Sequence, residues 1–341
     1  MSTLPQAPRA LLHLLFNGAR AVEVVETALE LGLLDALEPG PVTLDELSAR
    51  YGLVPLRLFK LLDCLESLGL VRREQSSDAP REARYSAVPG LRAAAQAVLG
   101  PHSQERDREG HAWREVYGHL PEVLRGERSL PPEHFAWPPR TPEQTAAFEA
   151  SMAVGLGPLL EVFRLHGPRL FREGMQLLDV GGGNGTLAAH LLEWNPGLRV
   201  DVYNLPLCGP LVERTRSERA LEGRLGFVAG DFFREPLPRG YDALSFVRVL
   251  HDWPRETARA LLRAAHEALP PGGRLLICEE FRTPERLAGQ FFWTWFTIGL
   301  DSFVGGLREV DFYVQALGEL GFREVQILPG PCELITALRG A

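Results

Sequence analysis

The sequence predicts an α/β fold: a mostly parallel sheet covered on both faces and closed by an antiparallel hairpin, behind a smaller, mainly helical front domain. Three observations predict it. From about residue 175, short apolar runs (QLLDV, RVDVY, LGFVA, YDALSFV, RLLICEE) alternate with helical stretches, which is how a doubly covered parallel sheet reads. The chain closes with FREVQIL, PGP and CELITAL, and two strands joined so tightly pair antiparallel. Before residue 100, apolar residues recur at helical spacing and give way only to two short extended runs.

The 341 residues exceed what one core usually reaches, so two domains are expected. Between about residues 10 and 38, Leu11, Leu14, Leu15, Val22, Val25, Leu29, Leu33 and Leu34 keep helical spacing, and a helix is expected. In PVTLDEL, Thr43 and Glu46 form a capping box that starts a second helix ending near Tyr51-Gly52. A third, PLRLFKLLDCLESLGL, has Pro55 in its first turn and Gly69 after its last. Extended runs around Val71 and Tyr85 follow, separated by the polar SSDAPREAR. Three helices and a hairpin make a winged-helix pattern over residues 1–100. Residues 101–172 read as mainly helical, interrupted by SLPPEHFAWPPRTP, a surface connector whose Phe135 and Trp137 call for burial. The sheet domain occupies 173–341.

Composition narrows the partners. Apolar residues make up 45% and charged residues 23%, with a formal net charge of −8. That balance favours solubility and repels phosphate backbones and anionic membranes. No stretch approaches the roughly 18 to 20 apolar residues of a membrane span. The opening MSTLPQAPRALLHLLF lacks a basic n-region and a cleavage site, so it reads as an amphipathic helix and a cytoplasmic location is expected. Cys64, Cys208, Cys278 and Cys332 lie far apart and are expected to be buried free thiols. His102, His111, His119 and His134 match no zinc spacing, and no metal is expected.

The first sheet strand runs into Asp179-Val180-Gly181-Gly182-Gly183-Asn184-Gly185 and then a helix. Glycines there let the backbone turn sharply and approach a ligand beside a helix N-terminus. A dinucleotide fingerprint would need glycine at 186, where threonine stands, and the P-loop lysine is also missing. A nucleotide-like ligand without a pyrophosphate fits better, and S-adenosylmethionine is one. Asp179 suits it, since a carboxylate can face the ammonium of its methionine portion. A purely structural strand-to-helix turn is the plainer alternative, which the βαβ setting disfavours.

Downstream come GDFF, FVRVLHDW and LICEE, in that order. With the glycine loop, these motifs resemble the small-molecule O-methyltransferases of the plant caffeate and bacterial antibiotic type, over nearly the whole chain. The resemblance implies a Rossmann-like class I methyltransferase domain behind a winged-helix dimerisation domain, and hence a homodimer. It implies S-adenosyl-L-methionine as cofactor, S-adenosyl-L-homocysteine as its product and no metal. Gly181 and Gly183 would line the methionine end, and Asp231 would take the adenine amino group with Phe232 against the ring. Arg248 stands where the family usually has lysine beside the cofactor, and Trp253 would stack on adenine. Asn204 replaces the family's usual ribose-binding aspartate; an amide still hydrogen-bonds a hydroxyl but lacks the charge that strengthens such bonds. Asp201, inside the strand, is not expected to compensate.

The same resemblance makes His251 the general base. A neutral hydroxyl is a poor nucleophile, and an imidazole with a pKa near 6.5 can take its proton, worth roughly 10² to 10⁴-fold. Glu279 would orient the imidazole. Asp252 either shares this work or caps the helix that PRETARALL begins. A second family glutamate falls at Leu307, with Glu309 two residues on as the acid a shift in register would bring inward. The aromatic run at Phe291, Phe292, Trp293, Trp295 and Phe296 reads as core and interface packing or as an apolar acceptor pocket. Of these, Phe292, Trp295 and Phe296 are the pocket candidates, joined by Met152 and Phe148 of FEASM.

The function so implied is methyl transfer to a hydroxyl of a small, aromatic or polyketide-type secondary metabolite. Three rival functions compete with it. A DNA-binding regulator should carry a basic recognition helix, but here Arg57 and Lys60 face Asp63 and Glu66. Family members that bind the cofactor for hydroxylation, decarboxylation or ring closure form the second rival. The third is methylation of nitrogen, carbon or a carboxylate, for which a base at His251 matters less.

Overall fold

The protein is described by a computed structural model covering residues 12, 14–74, 83–101, 120–128, 137–153, 155–283 and 305–340. Its contacts divide the chain into two compact units, Met1–His111 and Ala112–Ala341.

In the first unit, α1 (Gly18–Glu30) and α2 (Leu33–Leu37) replace the single long helix that apolar spacing predicts. Gly32 between them takes the left-handed conformation, φ 73°, which ends a helix and favours glycine. Next come β1 (Val42–Thr43), α3 (Leu44–Tyr51), α4 (Pro55–Ser67), β2 (Val71–Glu74), β3 (Arg84–Ala87) and α5 (Leu91–Leu99). The capping box forms: Glu46 N donates to Thr43 Oγ1 at 3.2 Å and Thr43 N to Glu46 Oε2 at 2.8 Å. Replacing Thr43 with alanine is expected to cost about 1 kcal/mol, read as a lower unfolding temperature with activity retained.

α4 starts with Pro55 and ends as its glycine predicts. Leu70 N donates to Leu65 O and Gly69 N to Glu66 O, with Gly69 at φ 72°. Its buried face is Leu58, Leu62 and Leu65. Cys64 falls off that face and is exposed, which corrects the expectation of four buried thiols; Cys208, Cys278 and Cys332 are buried. β2 and β3 pair antiparallel, and β1, too short to read from sequence, adds a third strand in the order β1-β3-β2. Arg73 bridges Asp63, at 2.6 Å, and Glu66.

The second unit opens with α6 (Leu120–Leu124), α7 (Pro142–Ala153) and α8 (Gly157–Leu170). The alternating section follows as β4 (Gln176–Val180), α9 (Thr186–Trp194), β5 (Arg199–Asn204), α10 (Gly209–Glu218), β6 (Leu225–Ala229), β7 (Ala243–Val247), α11 (Arg255–Ala268) and β8 (Arg274–Cys278). It closes with α12 (Val310–Glu319), β9 (Phe322–Leu328) and β10 (Leu334–Arg339). The sheet order is β6-β5-β4-β7-β8-β10-β9. Strands β4 to β8 are parallel, whereas β10 lies between β8 and β9 and is antiparallel to both. Apolar residues alternate between two cores: Leu178, Leu244, Phe246, Leu275 and Ile277 pack on one face, and Leu177, Ala243, Leu276 and Cys278 on the other. Both faces are therefore dry, and ligands are left with the strand ends.

Candidate active site

β4 is the strand at which the winding reverses, with β5 on one side and β7 on the other. A ligand crevice is expected beyond the carboxyl ends of those strands, and a cleft lies there. Its floor is the glycine loop and its sides include Asn204 at the end of β5, Phe232 after β6, and Arg248, Val249, Asp252 and Trp253 after β7. One face of α7 covers it with Phe148, Glu149 and Met152.

The glycines leave no room for side chains. A Cβ on Gly181, at φ 75°, would lie 2.7 Å from Val249 Cγ2; one on Gly182 would lie 2.3 Å from Asp179 Oδ2, and one on Gly183, at φ 58°, 2.4 Å from Glu149 Oε2. Gly181→Ala is expected to cost about 1–2 kcal/mol from its left-handed backbone alone, and more from the clash. Calorimetry should show weakened S-adenosylhomocysteine binding along with a lower unfolding temperature.

Asp179 is buried, and its Oδ1 accepts a 2.7 Å hydrogen bond from Ser245 Oγ. Among the described residues, neither its buried Oδ2 nor Trp253 Nε1 has a hydrogen-bond partner. Burial pushes the Asp179 carboxyl up to about 6, against the pull of the Ser245 hydroxyl. A buried acceptor without a partner suits a ligand that brings a cationic donor, and an orphaned indole N–H suits one that brings an acceptor. The cleft thus fits a nucleoside bearing an amino-acid group.

Asn204 lines the cleft, but its Oδ1 accepts Leu205 N at 2.8 Å, leaving its amide N–H₂ as the group to offer. Asp201 is occupied elsewhere, accepting the Tyr241 hydroxyl at 2.7 Å. Phe232 faces the cleft, whereas Asp231 is not part of its lining; its Oδ1 accepts Phe233 N at 2.9 Å. Arg248 adopts a left-handed backbone, φ 55°, and its guanidinium donates to the Met152 carbonyl, tying the end of β7 to α7.

His251 sits in a 3₁₀ turn, Leu250–Asp252, directly beyond β7, and is 8% exposed. Glu279, fully buried after β8, clamps that turn. Its Oε1 accepts Val249 N at 3.0 Å and Leu250 N at 2.8 Å, while its Oε2 meets His251 Nδ1 in a short contact. On the other ring nitrogen, Asp252 Oδ1 lies 3.3 Å from Nε2. Asp252 lines the cleft, whereas His251 itself is not among the lining residues. Asp252 does not cap the next helix; the cap position is Pro254, with no side-chain hydrogen bond. Burial works against charge on His251, but the Glu279 and Asp252 carboxylates outweigh it and raise its pKa to about 9. Burial raises Asp252 to about 7, with His251 pulling the other way.

No second acid comes inward at the positions where the resemblance implies one. Leu307 is half-buried, and Glu309 lies exposed at the start of α12. A cation takes over the support of the turn instead: buried Arg308 donates through Nη1 to Leu250 O at 2.8 Å and through Nη2 to Trp253 O. Phe291, Phe292, Trp293, Trp295 and Phe296 lie outside the described residues, as do Phe135 and the four histidines from 102 to 134. Sequence reading did not place Trp137, expected only to be buried, or Glu149 in the cleft. Trp137 packs on Phe148 with ring centroids 4.7 Å apart. Glu149 lies next to Phe148 and four residues before the end of α7, an acid on an otherwise apolar face, which was the available signal.

The terminal strand inserted antiparallel between β8 and β9 separates this sheet from an all-parallel dinucleotide-binding one, and the loop chemistry beside it points the same way. Fold and site define a class I, S-adenosylmethionine-dependent methyltransferase. Residues 140–291 match the family model of the O-methyltransferase domain, and residues 13–90 that of the O-methyltransferase dimerisation domain. The N,N-dimethyltransferase OxyT of Streptomyces rimosus is 31% identical over 95% of this chain and 94% of its own. Demethylspheroidene O-methyltransferase of Cereibacter sphaeroides is 30% identical over 90% of this chain and 80% of its own. The crystal structure of human N-acetylserotonin methyltransferase in complex with SAM superposes with a TM-score of 0.57 at 25% identity, covering all of both chains. The chain therefore belongs to the O-methyltransferase family: it is an enzyme with S-adenosylmethionine as cofactor and a dimerisation domain in front. Among the described residues, no group of three or more His, Cys, Asp or Glu could hold a metal, and no single helix is long and apolar enough to cross a membrane.

Proposed function

We propose that the enzyme methylates a hydroxyl of a small aromatic or polyketide-type secondary metabolite, with His251 as general base, and that it works as a homodimer. The observation that carries this reading is the buried Glu279–His251 pair beyond the end of β7, next to Asp252 of the cleft lining. Bound S-adenosylmethionine supplies an electrophilic methyl group. Glu279 holds Nδ1 and stabilises the imidazolium, so Nε2 is the nitrogen that takes the acceptor's hydroxyl proton, beside Asp252. Gly181 and Gly183 admit the methionine end, Asp179 faces its ammonium and Arg248 stands beside it. Phe232, Trp253 and Asp231 attend the adenine, and Asn204 donates to the ribose. Phe148 and Met152 flank the acceptor, with Phe292, Trp295 and Phe296 as further candidates. Holding the acceptor oxygen in line supplies much of the remaining rate.

The test is mass spectrometry on phenolic and polyketide-type acceptors incubated with methyl-labelled cofactor. Label on an oxygen is the expected result. Cofactor-dependent turnover without gain of a methyl group would favour hydroxylation, decarboxylation or ring closure. A second reading, transfer to nitrogen, is favoured by the likeness to an N,N-dimethyltransferase. In that case the label lands on an amine.

A further inference from the structure

Glu149 is a buried acid that the proposed chemistry leaves without a task. It projects from α7 into the cleft lining, is 7% exposed, and its Oε2 presses on Gly183, the residue next to the one on which Asp179 Oδ2 presses. Two carboxyls from different elements, α7 and β4, thus meet adjacent glycines of one loop. What faces Glu149 is weak as a counter-charge: the Cys208 thiol, 3.5 Å from Oε1, the Asn184 backbone N–H, and Arg248, whose guanidinium donates to the Met152 carbonyl. One of the two acids has a buried oxygen with no hydrogen-bond partner among the described residues. Two acids so placed, with their best cation turned to a carbonyl, make a receptor for an incoming cation.

We infer that Glu149 is a cofactor-binding residue which, with Asp179, receives the ammonium of the cofactor's amino-acid end. This rests on the reading of the cleft as the cofactor site and adds to it a residue and a proton. Burial holds the Glu149 carboxyl up at about 7 despite Cys208 and Arg248, so near neutral pH much of it is protonated. The ligand's ammonium keeps its three protons and pairs with the carboxylate, and the acid's proton passes to the buffer.

The probes are S-adenosylhomocysteine and 5′-methylthioadenosine, which share the thioether nucleoside, only the first having the amino-acid end. Titration calorimetry of the full chain is run between pH 6 and 8 in buffers of different ionisation heat. Wild type is expected to release protons on binding S-adenosylhomocysteine and none on binding 5′-methylthioadenosine. In Glu149→Gln, S-adenosylhomocysteine should bind about ten- to hundredfold more weakly, the usual loss for a hydrogen bond to a charged group, with 5′-methylthioadenosine unchanged and proton release reduced. Equal losses for both probes, or none for the first, would overturn the inference. Should that variant fail to fold, wild type decides: equal proton release for the two probes overturns it. If wild type binds neither probe, the reading of the cleft falls as well; if it binds both without releasing protons, only the ammonium role falls.

Discussion

Replacing His251 with alanine is expected to lower kcat by about 10² to 10⁴, with S-adenosylhomocysteine binding close to wild type. The size follows from the task. A neutral hydroxyl must lose its proton as the new bond forms, and among the described residues His251 is the base beyond this end of β7 whose partner, Glu279, is fixed from behind. Asp252, the nearest alternative, is pushed up only to about 7 by burial, which leaves it a weaker base than the imidazole held at about 9. Cofactor binding is expected to survive because Asp179, the glycine loop and Asn204 come from β4, the loop after it and β5, not from the turn that carries His251. Steady-state kinetics and calorimetry on one preparation check both halves. A nearly unchanged rate would sink the base mechanism and favour an acceptor, such as a carboxylate, that needs no deprotonation.

The second large effect is that of Glu279→Gln. Its carboxylate serves three donors: the N–H groups of Val249 and Leu250 and the imidazole Nδ1. A glutamine fills the same volume and can still accept from the backbone, but its N–H₂ cannot accept from Nδ1–H. The ring is then held in the wrong tautomer, a fault that in a comparable carboxylate–histidine pair costs about 10⁴. The pH profile separates this from simple damage. In wild type the base is protonated below about 9, so kcat/KM should rise with pH and level off above that value. Removing the negative charge lowers the imidazole's pKa, so in Glu279→Gln the rising limb should move to lower pH while the plateau falls. A lower plateau with an unmoved limb would mean that Glu279 only holds the turn in shape.

Much of this was legible in the residues themselves. The Thr43–Glu46 capping box, Pro55 and Gly69 are local chemistry, settled within one helical turn, and they appear in the structure as read. The parallel strands were legible because a strand buried on both faces must be apolar along its length, and the closing hairpin because seven- and six-residue strands joined by a short turn have no other way to pair. The Asp-Val-Gly-Gly-Gly loop and HDW named the cleft residues by type. The break at Gly32 was missed because apolar spacing runs through it unbroken, and β1 because two residues carry no period.

By itself, the sequence determined which elements form, that the sheet is covered on both faces, and which chemical groups gather at the strand ends, since these follow from periodicity and from residues whose conformational needs are local. Tertiary structure alone decided that the last strand slots between β8 and β9, that Glu279 lies behind His251 and Asp252 in front of it, that Arg308 braces the turn where an acid was expected, and that Glu149 meets the glycine loop. Apart from the neighbours His251 and Asp252, these contacts join residues far apart in the chain, 28 residues for Glu279 and His251 and 58 for Arg308 and Leu250. Their meeting depends on how sheet and helices close around a common core, which no local pattern records.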